Sequence, residues 1–341
     1  MKKVLLVSAD RSDTNGVPIN LGDALLSDAV ASSLIRAGFD VTVCDFGASR
    51  TTGEVPRVFV DGLFGLARSI RSADVVVIGG GTLFQDDTPG RIFAGLPRLL
   101  FVTSTLARLF RRKVAFFAVG CDPIARILPR LLLRIAAGAG RTWVRDVRSQ
   151  ERCRALLGRD VELAGDASLL FAAKIAGMAA QAKAAPPLGL ILALNGRESK
   201  LLRSVTVREL MRSHSRVHFL AMSQGGHVDD AMVLVEDARR ELTATSHGIT
   251  WKEAVGLIAG SSVVVASRMH AMYIAAMSGT SMVAVGASPK VEAFAEEFGV
   301  PLMGTIPSMI VTDALADQSA LRAATLRVEI GFQQLVRYLA A

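Results

Sequence analysis

The sequence predicts an α/β fold built as two doubly wound parallel-sheet domains. Three observations carry this. Near-continuous apolar runs of strand length alternate with longer amphipathic segments, which is how strands covered on both faces of a parallel sheet read. The alternation comes in two series, parted by an Ala-rich stretch that ends in Pro186-Pro187. The chain is also long enough for two domains, with 341 residues of which 51% are hydrophobic and 21% charged.

In the first series the strands are KVLLVS, DVTVCD, DVVVIGG, KVAFFAVG and RTWVRD, with helical patterns over 23–37, 62–71, 92–112 and 124–137. The opening MKKVLLVSAD turns polar too early for a secretory segment and reads as the first strand. VELAGDASLLF adds a further short strand. AAKIAGMAAQAKAAPPLG is the linker candidate, near residues 175–188, and divides the chain into an N-terminal domain, 1–180, and a C-terminal domain, 181–341. The second series runs LGLILALN, RVHFLAMS, SSVVVAS and SMVAVG, again with helical spacers. Residues 313–341 have helical periodicity, and this last helix is free to pack back on the N-terminal domain. No apolar run reaches the ~20 residues of a membrane span.

Composition narrows the function classes. The 39 Lys and Arg against 31 Asp and Glu give a net charge of +8, which favours phosphorylated or polyanionic partners. Much of the excess lies between Arg91 and Arg159, and DPIARILPRLLLRIAAGAGR reads as an amphipathic helix with a cationic face. That face is either a solvated surface or a peripheral contact with an anionic membrane. Nucleic acid is not an expected partner, because recognition motifs are absent and 2 Trp with 2 Tyr give little base-stacking surface. Cys44, Cys121 and Cys153 have neither disulfide-framework nor zinc spacing, which fits a reducing cytoplasm.

Ligands of open parallel sheets bind outside the carboxyl ends of strands, where helix N-termini present unpaired N–H groups, and two such domains would face a common cleft. The strand ends are therefore the candidates. VVVIGGGTLFQD ends a strand with Gly79, Gly80 and Gly81, read either as a tight turn or as an anion-binding concavity, with Asp86 and Asp87 behind it. VPINLGDALL places Asn20 as an N-cap, then Gly22 and Asp23, where Asp23 suits either a first helical turn or a substrate hydroxyl. Arg145 and Asp146 end RTWVRD, where the arginine could grip carboxylate or phosphate or pair with its neighbour. Asp166 follows the short strand of VELAGDASLLF with the same two readings.

The junction VVVASRMHAMY is the sharpest of these. Arg268, Met269 and His270 stand between a buried strand and an apolar helix, and Lys290 follows the next strand. A histidine at a helix start reads first as a capped or hydrogen-bonded structural residue, but side-by-side cations are costly to bury without an anionic partner, which adds the second reading of an anion site.

Taken in order, these pieces resemble the polysaccharide pyruvyl transferase family. The resemblance rests on the N-x-G-D of Asn20, Gly22 and Asp23, the Gly79 to Gly81 strand end, the R-D-x-x-S of Arg145, Asp146 and Ser149, the GDAS around Asp166, the S-R-x-H-A of Ser267 to Ala271, and Lys290. It spans about residues 15–299. The chain departs from the family pattern at Thr280 and Ser281, where a proline is usual before the last core strand. The resemblance implies a glycosyltransferase-B-like enzyme that moves the enolpyruvyl unit of phosphoenolpyruvate onto two hydroxyls of a saccharide. No metal-ligand cluster appears in the sequence, so the reaction is expected to need no metal or other cofactor. It implies His270 as general acid or base, an imidazole of ordinary pKa ~6.5 being suited to either role. Arg268, Arg145, Lys290 and Met269 fall on the donor side. Asn20, Gly22, Asp23, the three glycines, Asp86 and Asp166 fall on the acceptor side or line the cleft. A lipid-linked saccharide acceptor would set the enzyme at the inner face of the cytoplasmic membrane. Two other readings stay open: a glycosyltransferase using a nucleotide sugar, and a non-catalytic anion- or sugar-binding protein.

Overall fold

The computed structural model describes residues 1–46, 55–86, 95–184, 188–195, 205–225, 229–231, 234, 240–286, 288–303 and 315–341. Two compact units emerge. One comprises Met1–Gly16, Asp23–Leu170 and Ala324–Ala341, the other Val17–Gly22 and Phe171–Ala323.

The first unit holds β1 (Lys3–Val7), β2 (Asp40–Asp45), β3 (Arg57–Phe59), β4 (Val75–Phe84), β5 (Lys113–Cys121), β6 (Arg141–Val144) and β7 (Glu162–Leu163). They form a parallel sheet in the order β3-β2-β1-β4-β5-β6-β7, with the direction of winding reversed between β1 and β4. Its helices are α1 (Leu21–Arg36), α2 (Gly62–Ser72), α3 (Gly95–Leu109), α4 (Ile127–Ala137) and α5 (Val147–Leu157). Apolar side chains of α2 to α5 share one core layer with Val76, Ile78 and Phe116. The next residue of β5, Phe117, points to the opposite face. There its ring meets Phe332 of α11 (Gln318–Ala340) at 6.0 Å. The last helix is tied to the same sheet by Trp143 Nε1 donating to Gln334 at 2.9 Å and the Tyr338 hydroxyl donating to the Val114 carbonyl at 3.1 Å.

A charged triad is buried under the carboxyl edge of this sheet. Arg57 donates to Asp10 and to Asp28, each at 2.7 Å, and its side chain is only 4% exposed. Burial alone would lower the Arg57 pKa, but the two carboxylates outweigh it and hold the group above its ordinary value. Removing one member of such a set leaves the others charged without their partner in low dielectric. Arg57→Met is accordingly expected to cost about 3–5 kcal/mol of stability. Denaturant melts of the variant test this, and a loss below about 1 kcal/mol, the scale of a surface pair, would contradict it.

The second unit holds β8 (Leu190–Ala193), β9 (Val217–Leu220), β10 (Ala244–Ser246), β11 (Val263–Ala266), β12 (Ser281–Val285) and β13 (Leu302–Met303). They are parallel, in the order β10-β9-β8-β11-β12-β13, so the winding reverses between β8 and β11. The helices are α6 (Ala172–Ala182), α7 (Val205–Arg212), α8 (Trp251–Ala259), α9 (Met269–Ser278) and α10 (Pro289–Phe298). Local chemistry sets their ends. Thr250 and Glu253 form a reciprocal capping box on α8, and Gly279 and Gly299 close α9 and α10 in left-handed conformation.

Three expectations are corrected here. The Ala-rich stretch near 175–188 is mostly helix, not linker: alanine is the best helix former, and α6 packs on α8 and α9. The division therefore falls after Leu170, and residues 17–22 and 324–341 each join the unit remote from them in sequence. Pro186 and Pro187 lie outside the described residues. Third, Gly79 to Gly81 do not end β4, which stays paired to β5 as far as Phe84. The glycines carry the strand past α1: a Cβ on Gly80 would lie 2.9 Å from that of Leu26, and Gly80 and Gly81 have φ of 75° and 91°.

Candidate active site

The switch point of the second unit, where β8 and β11 lie side by side, carries the VVVASRMHAMY junction. β11 is buried throughout, and so is α9 from Ala271 to Ser278. Arg268 is the N-cap residue of α9 and His270 follows in its first turn, both half-buried. The turn is fixed to β8, since Ser267 and Arg268 N–H groups donate to the Ala193 carbonyl at 3.1 and 3.3 Å. The Ser267 hydroxyl in turn accepts the Asn195 N–H at 2.9 Å.

Arg268 is oriented by a residue that the sequence reading missed. Its Nε donates to Asp230 at 2.9 Å and its Nη2 donates to the other carboxylate oxygen. Asp230 is fully buried and also accepts the Ser223 N–H at 2.9 Å. Burial pushes the Asp230 carboxyl above its ordinary pKa despite the adjacent guanidinium and backbone donors. The pair uses two of the five N–H donors of Arg268, and its side chain is 23% exposed, so part of the fork faces outward.

Against this turn lies the segment 17–22 from the start of the chain. Leu21 N–H donates to the Met222 carbonyl at 2.9 Å and Gln224 N–H to the Ile19 carbonyl at 2.7 Å. The buried Gln224 amide clamps it further, with Nε2 donating to Pro18 at 2.9 Å and to Ile249 at 2.8 Å. Asn20 caps α1 as expected, its Oδ1 accepting the Gly22 N–H at 2.9 Å. Gly22 then meets the imidazole of His270. A Cβ there would lie 2.1 Å from Nδ1 and 2.7 Å from Cγ. Gly22 thus lines the His270 ring, and Asn20 fixes Gly22 through its cap. Met269 opens α9, and Lys290 is the second residue of α10, after the neighbouring strand β12.

The remaining candidates belong to the first unit. Arg145, at the end of β6, is buried; its guanidinium covers Gly120, where a Cβ would lie 2.9 Å from Nη2. Its Nε donates to Asp146 at 3.1 Å and lies 3.9 Å from Asp166. Burial would raise the Asp146 carboxyl, but Arg145 and the Ser149 N–H that it accepts as N-cap of α5 outweigh that and hold it low. Asp166 also accepts the Ser168 N–H and hydroxyl, at 3.0 and 2.7 Å. Asp23 lies beside Gly81, where a Cβ would be 3.0 Å from its Oδ1. Asp86 accepts from Arg126 Nε at 2.6 Å and from the Arg126 N–H at 3.1 Å, which holds its carboxyl low. Asp87 lies outside the described residues.

Two doubly wound parallel sheets with a site at a strand-order reversal define a glycosyltransferase-B-like α/β protein, and solved structures agree. UDP-GlcNAc 2-epimerase from Methanocaldococcus jannaschii superimposes with a TM-score of 0.56 at 11% identity, over 96% of this chain and 99% of that one. The enzyme from Rickettsia bellii gives 0.57 at 11% identity, over 99% and 98%. The Neisseria meningitidis enzyme bound to UDP-GlcNAc gives 0.55 at 13%, over 99% and 92%. At such identities the likeness is one of fold. No curated protein matches the chain. The profile of the polysaccharide pyruvyl transferase family does match, over residues 20–289, and the chain belongs to that family of transferases.

Proposed function

We propose that the protein transfers the enolpyruvyl unit of phosphoenolpyruvate to two hydroxyls of a saccharide used in cell-surface or exopolysaccharide biosynthesis, releasing phosphate. The observation that carries this reading is the built environment of His270: an imidazole at a strand switch point, packed on a bare Gly22, two residues from an arginine oriented by a buried carboxylate. His270 delivers a proton to the donor methylene carbon, which becomes methyl and leaves oxocarbenium character on the adjacent carbon. One sugar hydroxyl attacks that carbon, and its proton returns to the imidazole. The carbon–oxygen bond to phosphate then breaks. The second hydroxyl attacks the same carbon, its proton leaves with phosphate, and the cyclic ketal closes. Arg268 and Lys290 answer the donor's phosphate and carboxylate charges, so no metal or other cofactor is called on. The three free cysteines fit work in the cytoplasm, and a lipid-linked acceptor is included in the proposal.

The test supplies phosphoenolpyruvate with a panel of saccharides, with and without a chelator, and measures phosphate release and the mass of the acceptor. The expected result is a pyruvate-ketal mass increment with matching phosphate, unaffected by chelation. Nucleotide release from a UDP- or GDP-sugar without any phosphoenolpyruvate-dependent product would replace this reading with glycosyl transfer. Calorimetric binding without turnover would leave a binding protein.

A further inference from the structure

We propose that the outer face formed by α2, α3 and α4 docks on an anionic phospholipid bilayer. This is independent of the pyruvyl-transfer reading. The three helices stand side by side, α3 packing on both α2 and α4, and bury their inner faces in one core layer. Their sequences, GLFGLARSIRS, GLPRLLFVTSTLARL and ILPRLLLRIAA, carry two arginines each and no Asp, Glu or Lys. All six arginines are exposed.

The same outer face is studded with apolar side chains. On α4 the outward stripe is Ile127, Arg130, Leu131, Arg134 and Ile135, while Pro129, Leu132, Leu133, Ala136 and Ala137 face the core. A solvated surface helix has one apolar stripe, and this helix has two. Ile127 is 85% exposed and Leu131 51%; on the neighbouring helices Phe64 is 90% and Leu109 71% exposed. Interleaved aliphatics and arginines are what an interfacial surface requires, because aliphatic groups enter the acyl boundary while guanidinium groups stay at phosphate level. Of the flanking carboxylates, Asp86 is taken by Arg126 and Asp61 is the exposed N-cap residue of α2, against six arginines on the three helices.

Charge complementarity selects this occupant over others. A second copy meeting the same face through a twofold axis would set arginine against arginine, with no acidic side chain on the three helices to relieve it. A nucleic acid would satisfy the arginines but leave Ile127, Leu131 and Ile135 without an apolar partner.

The experiment is co-sedimentation of the full chain with large vesicles of phosphatidylcholine alone or mixed with phosphatidylglycerol, at low and high salt. Binding is expected only to the mixed vesicles and is expected to weaken with salt. Arg130→Gln with Arg134→Gln should lower the partition coefficient on the order of 25-fold, at about fivefold per guanidinium. Ile127→Ser with Leu131→Ser should remove the binding that persists at high salt. Neither pair should alter thermal stability or turnover of a soluble acceptor; if one unfolds, Arg108→Gln with Leu109→Ser on α3 substitutes for it. Equal binding to neutral vesicles, absence of binding to the mixed ones, self-association through this face, or variants that bind like the natural protein would overturn the proposal.

Discussion

His270→Ala is expected to lower kcat by about 10²–10⁴-fold, the range that a positioned proton-transfer group contributes, while the protein keeps its fold. The two halves of this expectation have separate grounds. The chemical half follows from placement at the carboxyl end of β11, beside an arginine whose orientation is set by Asp230. The structural half follows from position: the half-buried imidazole stands at the mouth of α9, whereas the core contribution of that helix comes from Ala271 to Ser278. Phosphate release and ketal formation give the rate, and circular dichroism with a thermal melt gives the fold. A folded His270→Ala protein that turns over at the natural rate would remove the imidazole from the chemistry and leave Arg268 and Lys290 as a binding site alone.

Much of the molecule was legible in its sequence because its central strands are buried on both faces, and a run such as VVVIGG cannot easily be anything else. The readings failed where a local rule was outweighed by packing. Alanine next to a Pro-Pro pair looked like a linker, yet α6 buries Ile175 and Ala179 against its neighbours. Three glycines looked like a turn, yet the constraint is the approach of Leu26 and Asp23 from α1. The site was half legible for a related reason. Arg268, His270 and Asn20 stand out as polar residues at apolar junctions, whereas their supports are distant in sequence: Asp230 lies 38 residues from Arg268, and the Gln224 contact to Pro18 spans 206. A pattern read along the chain has no means of pairing such positions. Nor does it reveal the pairing of Asp86 with Arg126, 40 residues away.

In the sequence Gly22 is one letter of a short motif, and its geometry gives it a stronger role. Its Cα and the His270 ring are so close that a methyl group would stand 2.1 Å from Nδ1, against an ordinary contact of 3.4 Å or more. The segment is tied down, since Met222 accepts the Leu21 N–H and Gln224 bonds the carbonyls of Ile19 and Pro18. The ring is the softer partner: in Gly22→Ala it must swing away by more than an ångström. Overpacking of this kind costs stability by about 1–3 kcal/mol, while misplacing a reacting group by ~1 Å costs about 10²-fold in rate. Gly22→Ala is therefore expected to lose about 10²-fold in kcat with a modest fall in melting temperature. The cycle with His270→Ala separates positioning from general damage. If Gly22 acts by seating the imidazole, adding Gly22→Ala to the His270→Ala protein should change its residual rate by less than about twofold, because the two residues form one coupled unit. A full 10²-fold loss in both backgrounds would mean that the methyl disturbs donor or acceptor binding directly, and that His270 is seated by other contacts.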